Sequence, residues 1–219
     1  MMNDPEHAFT ERALKQRERI LEAARLCFLK RGFHGASIAD IAHEAGMSPG
    51  LIYRYFPSKQ AIIKAIIERQ LESGRRALEE IKSAEDFVQG ILNAIEHWRS
   101  GCANHMNAPL FLEISAEATR DPEIAATVEE ADRLIKNHLL EAMQRTARSK
   151  VLYQDPRRAN ARILLLMSVV EGLAIRACRD PQLDPDLLRC ALTKFIAGLQ
   201  ADEREYAAAA QAHSSCTKT

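Results

Sequence analysis

Apolar side chains along the 219-residue chain recur at intervals of three and four and hardly ever alternate, so the pattern predicts helices and no sheet. From about Glu11 to Arg31, Ile20, Ala24, Cys27 and Phe28 share one face, and Gly32 suits a left-handed stop. Three units follow: Ser37–Ala45, Ser48–Phe56, and a longer one opening at Pro57-Ser58-Lys59. That third unit runs to about Lys82 behind a stripe of Ile62, Ile63, Ile66, Ile67 and Leu71. Further helices are predicted over 84–99, 109–120, 122–148, 156–179 and 185–205, with 100–108 a loop or broken helix. Asp121-Pro122, Asp155-Pro156 and Asp184-Pro185 mark starts, because Asp caps an orphan N–H and Pro fits the first helical position. Asp180-Pro181 closes the 156–179 segment. The fold class is all-α, with nine to ten helices.

A 47% apolar and 27% charged composition is that of a chain with a real core, which excludes global disorder. Thirty basic and thirty acidic side chains leave no net charge, so any nucleic-acid site must be local. It has a place: residues 10–60 hold nine Lys/Arg against five Asp/Glu, whereas 61–219 hold 21 against 23. The expected organisation is a flexible arm over 1–14, a basic module over 15–60, a regulatory and dimerisation domain over 61–206 and a disordered tail over 207–219. No apolar run approaches a membrane span and the first ten residues lack the look of a signal peptide, so a cytoplasmic protein is expected. Five scattered cysteines without a Cys-x-x-Cys pair suggest reduced thiols.

In Ser37-Ile-Ala-Asp-Ile-Ala-His-Glu-Ala45, Ile38, Ile41, Ala42 and Ala45 line one face behind Ser37 as N-cap. Gly46 can take φ > 0, Met47 plugs the corner and Ser48 caps the next helix, which together make a helix-turn-helix. At 100° per residue, Ile52 and Phe56 anchor that second helix while Arg54 points away. Gly50 and Leu51 lie beside Arg54, with Tyr53 and Tyr55 flanking. Against a major groove, Arg bonds guanine, Tyr hydroxyls hold phosphates and Leu touches a thymine methyl. Lys59 opens the following helix and is expected to address a phosphate. Arg12, Lys15, Arg17 and Arg19 form either a minor-groove arm or a solvated face.

The stretch Gly32 to Lys59, with turn, caps, aromatic pair and terminal Lys in one register, closely resembles the DNA-binding module of the TetR (tetracycline repressor) family. Leu51 stands where Thr or Ser is usual, and Pro49 replaces a frequent polar residue. The resemblance implies a homodimer that binds a pseudo-palindromic double-stranded operator through Ser37, Ser48, Pro49, Gly50, Leu51, Tyr53, Arg54, Tyr55 and Lys59. It implies a repressor released by a small-molecule effector, with the last two long helices pairing across the dimer axis.

For that pairing the candidates are Leu165, Ser168 and Gly172 on one helix, and Leu188, Leu192, Phe195 and Leu199 on the other. For the effector they are Trp98, Met106, Phe111, Met143 and Met167 as adaptable walls, with Glu113, Glu117 and Arg176 as polar anchors. Each also fits ordinary core or surface. His97, Cys102 and His105 lack a fourth ligand, so no metal or cofactor is expected. No phosphate loop, nucleophile elbow or His-Glu-x-x-His run supports catalysis. Two other readings keep the same module: an architectural DNA binder without effector control, and a thiol sensor using Cys102 or Cys178.

Overall fold

The structure is a computed structural model that describes residues 5–100, 108–147, 153, 155–180 and 182–216. Its helices are α1 (Pro5–Gly35), α2 (Ile38–Ala45), α3 (Pro49–Tyr55), α4 (Lys59–Glu79) and α5 (Ala84–Ser100). They continue as α6 (Ala108–Ala118), α7 (Pro122–Thr146), α8 (Pro156–Arg179) and α9 (Pro185–Cys216). Among the described residues there is no strand. No helix among them is long and apolar enough to cross a membrane.

The Asp-Pro starts form as local chemistry dictates. Asp121 Oδ1 accepts from Glu123 N at 2.8 Å, Asp155 Oδ1 from Arg157 N at 3.0 Å, and Asp184 Oδ1 from Asp186 N at 2.9 Å. The first and last helices exceed their expected lengths. The helix α1 begins at Pro5, behind the same Asp-Pro dipeptide at Asp4-Pro5, so the expected flexible arm 1–14 is helical from Pro5 on. Lys15 Nζ pairs with Glu11 Oε1 one turn back at 2.7 Å. At the other end α9 runs to Cys216, not 205, because Ala207–Ala210 are the strongest helix formers and no Gly or Pro follows Gly198.

Two compact units are present. The first joins the residues up to Gln70 with Pro109–Ala131, and the second joins Leu71–Ala108 with the residues from Asp132 on. The unit carrying the helix-turn-helix is therefore discontinuous in sequence, unlike the contiguous 15–60 module expected. Its interior holds Ile20, Phe28, Ile41, Ile52, Phe56 and Ile62, all less than 3% exposed. The second unit packs α5, α7, α8 and α9 around Phe87, Ile95, Met143, Leu166, Leu192 and Ile196.

Candidate nucleic-acid interface

The helix-turn-helix is fixed by its caps. Ser37 Oγ accepts from Asp40 N at 3.1 Å while Ser37 N donates to Asp40 Oδ2 at 2.9 Å, a reciprocal capping box. The Ser37 hydroxyl, which also donates to Oδ2 at 2.6 Å, then the Ser37 amide and the nearby Arg31 guanidinium hold the Asp40 carboxyl below the usual range. Gly46 ends α2 at φ 60°, ψ 42°, the left-handed conformation that favours glycine, with the tip of the Arg19 side chain beside it. Ser48 Oγ then accepts from Leu51 N at 3.3 Å to start α3, with Pro49 at its first position.

Ile52 and Phe56 are buried at 0% and 2% exposure and hold α3 from beneath. Arg17 clamps the end of the helix: Nη1 donates to Tyr55 O at 3.2 Å, and the guanidinium lies 4.4 Å over the Phe56 ring. Above these anchors Arg54 is exposed and Tyr53 is 54% exposed. Pro49 and Gly50 are exposed as well, and no atom lies within 4 Å of a Cβ built on Gly50. Leu51 and Tyr55 are half-buried, so Leu51 is less outward than its place on the wheel suggests.

Three of the four candidate arm residues of α1 have occupations within the protein. Arg17 holds α3, Arg19 packs on Gly46 and Lys15 pairs with Glu11, which favours the face reading over a groove-seeking arm. Lys59 is engaged too. Its Nζ donates to Phe33 O at 2.7 Å and Ala36 O at 3.0 Å and lies 4.3 Å from the Phe33 ring, and burial pushes its pKa down. Replacing Lys59 by Met is therefore expected to lower the melting temperature while leaving the salt dependence of DNA binding at its wild-type slope. Loss of a phosphate contact would instead reduce that slope by about one.

The expected effector residues fall apart into different units. Glu113 and Glu117, on the face of α6 that also carries buried Leu110 and Ile114, belong to the first unit, as does half-buried Phe111. Glu113 Oε2 accepts from Phe33 N at 3.0 Å, and Glu117 Oε2 lies 3.0 Å from His34 Nε2, so neither is an open anchor for a ligand. Met143 is core, and Met167 packs against that core. Met143 also lines a cavity of about 30 Å³ with Phe87, Tyr153 and Leu166, room for one water. Exposed Arg176 borders an open hollow of about 250 Å³ with Gly172, Ile175, Arg179 and Asp180. Met106, with Cys102 and His105 of the metal and thiol readings, lies outside the described residues, as do the side chains of Trp98 and Cys178. Among those described, no group of His, Cys, Asp and Glu could hold a metal.

The sequence reading passed over one pair in the second unit. Burial raises the pKa of Glu171 on α8, and the charge of Asp132 on α7 raises it further; burial raises Asp132 in turn. A carboxyl raised in the fold binds its proton more tightly there than in the unfolded chain, so stability falls as pH rises past the ordinary 4.5 toward the folded value. Glu171→Gln is expected to raise the melting temperature more at pH 7.5 than at pH 4, as calorimetry at the two pH values would read.

The dimerisation residues divide as well. Leu165 is 53% exposed and lies with exposed Ser168 and Gly172 on one face of α8, beside Leu164 at 62%. On α9, however, Leu188, Leu192 and Leu199 are buried in the chain's own core and Phe195 packs against it. The exposed edge of α9 lies one residue back: Leu187 at 61%, then Ala191, Lys194 and Gly198.

Comparison with known proteins places these features. Residues 20–66 match the family model of bacterial regulatory proteins, tetR family, and residues 103–201 match a BetI-type transcriptional repressor C-terminal model. The HTH-type transcriptional regulator UidR of Escherichia coli is 34% identical over 154 residues, covering 68% of this chain and 76% of that protein. TtgR of Pseudomonas putida, another HTH-type transcriptional regulator, is 31% identical over 49% of this chain and 47% of its own. Salmonella enterica GusR superposes with a TM-score of 0.70 at 25% identity, over 91% of this chain and 98% of that one.

Proposed function

Because the chain belongs to the tetR family of bacterial regulatory proteins, as a DNA-binding transcriptional regulator and not an enzyme, we propose that it represses by seating two copies of α3 in successive major grooves of a pseudo-palindromic operator. The observation that carries this reading is the outward Arg54 and Tyr53 on a helix pinned by buried Ile52 and Phe56. Tyr55, Gly50 and Leu51 complete the groove-facing set, and the Ser37 and Ser48 caps bring exposed hydroxyls near the backbone. A small-molecule effector releases the operator by binding one spacing of the two helices more tightly than the other. Residues up to about 60 carry DNA recognition, and the chain from 61 on carries the effector site and dimerisation.

The dimer face is Leu164, Leu165, Ser168 and Gly172 of α8 with Leu187, Ala191 and Gly198 of α9. Three exposed leucines beside small residues supply apolar area and allow close helix approach to a second copy. Leu165→Glu is expected to yield monomers in sedimentation and to weaken operator binding at least about tenfold, because each monomer then pays alone for docking. The function itself is tested by fluorescence anisotropy of the purified protein on duplexes from upstream of its own gene at about 100 mM salt. Saturable binding that random duplexes do not compete away supports it; equal binding to every sequence overturns it in favour of an architectural binder.

A further inference from the structure

We propose that Glu113 of α6 is a positioning residue for DNA binding: its carboxylate holds the one-turn segment that feeds the helix-turn-helix and so sets the aim of α3 without touching DNA. The segment begins at Gly32, whose φ of 69° and ψ of 170° break α1 and strip Phe33 N–H of its place in the helical ladder. A donor left unpaired there costs free energy, and Glu113 Oε2 takes it at 3.0 Å from eighty residues away. The bond is charge-assisted, as at an N-cap. At the far end of the turn Lys59 takes the carbonyls of Phe33 and Ala36. A carboxylate from α6 thus caps the start of the turn and an ammonium from α4 caps its end.

The next residue, Ser37, is the N-cap of α2, so a tilt of the turn passes directly into α2 and α3. The joint is closely packed. A Cβ on Gly32 would sit 3.3 Å from Glu113 Oε2, and the Phe33 ring, 5% exposed, packs 5.4 Å from the ring of Phe28. One turn along α6, Glu117 meets His34 with its side chain 4% exposed, and its charge reaches Lys59. At the end of the same segment Gln60 Nε2 donates to Asp121 Oδ2 at 3.3 Å. Three acidic side chains from 113 to 121 therefore hold the residues that flank the helix-turn-helix.

The inference rests on the DNA-binding reading above, and its test separates the two. Full-length wild type, Glu113→Gln, Glu113→Asp and Glu113→Ala are titrated by anisotropy onto the upstream duplex bound by wild type, well below each melting temperature, at several salt concentrations. Glu113→Gln keeps an acceptor of the same reach and is expected within about threefold of wild type. Glu113→Asp and Glu113→Ala break the bond and are expected to bind at least about tenfold more weakly at an unchanged salt slope, since every phosphate partner stays in place. Both should also tolerate altered half-site spacing that wild type rejects. Alanine and aspartate variants that fold and bind within twofold of wild type overturn the proposal. So does failure of both to fold, which would make the bond a requirement of the fold. A wild type that binds no duplex overturns the DNA-binding reading instead, whatever the variants do.

Discussion

Arg54→Ala is expected to weaken binding to the operator by about 1 to 3 kcal/mol for each bidentate arginine–guanine pair removed, and to flatten the preference at one base pair in each half-site. The side chain is exposed on α3, so its removal leaves no cavity and breaks no ion pair seen among the described residues. Thermal stability should stay at the wild-type value, and the whole loss should appear in DNA recognition. Anisotropy titrations on the upstream duplex and its single-base variants separate the cases. An arginine that reads a base makes the variant indifferent to substitutions at that base, while weak binding to random duplex persists through the backbone phosphates. If wild type and variant rank all duplexes alike, Arg54 touches phosphate only and base readout has to come from other residues of α3.

Phe56→Ala is expected to cost about 3 to 5 kcal/mol of folding free energy, a large share of the roughly 5 to 15 that holds a typical domain. Phe56 is 2% exposed, its ring lies beneath the Arg17 guanidinium, and it follows directly on the last residue of α3. Truncation opens a cavity under the recognition helix and removes the surface on which Arg17 rests while holding Tyr55 O. Urea denaturation followed by circular dichroism should show the loss, and DNA affinity should fall with the folded fraction of the first unit. A change below about 1 kcal/mol would mean that the neighbouring core collapses into the space, and that Ile52 alone anchors α3.

The local parts of this protein were readable from its sequence because their causes lie within four residues. The capping box of Ser37 and Asp40, the left-handed Gly46, the Ser48-Pro49 start and the Asp-Pro boundaries each depend on side chains reaching their own backbone. Ile52 and Phe56 follow from helical period alone. What the sequence concealed depends on distance along the chain. Nothing near Lys59 signals that the carbonyls of Phe33 and Ala36 claim its ammonium, and nothing near Glu113 signals Phe33. On α9 the wheel offers two edges only about 100° apart, one through Leu187 and Ala191 and one through Leu188 and Leu192. Choosing between them takes knowledge of what α5 and α8 already bury. Met143 looked adaptable enough to line an effector site, yet its neighbours fill the space around it to about 30 Å³.

The compact unit that presents α3 also draws on Pro109–Ala131, and this bears on how the molecule is made. During synthesis the first 70 residues leave the ribosome without α6, so the Phe33 amide and His34 wait for partners still to be translated. Pairings across so long a loop form late in folding. A nascent chain stalled before α6 should therefore be a poor operator binder and an easy protease target, and a regulator truncated there by a premature stop codon should be silent rather than dominant.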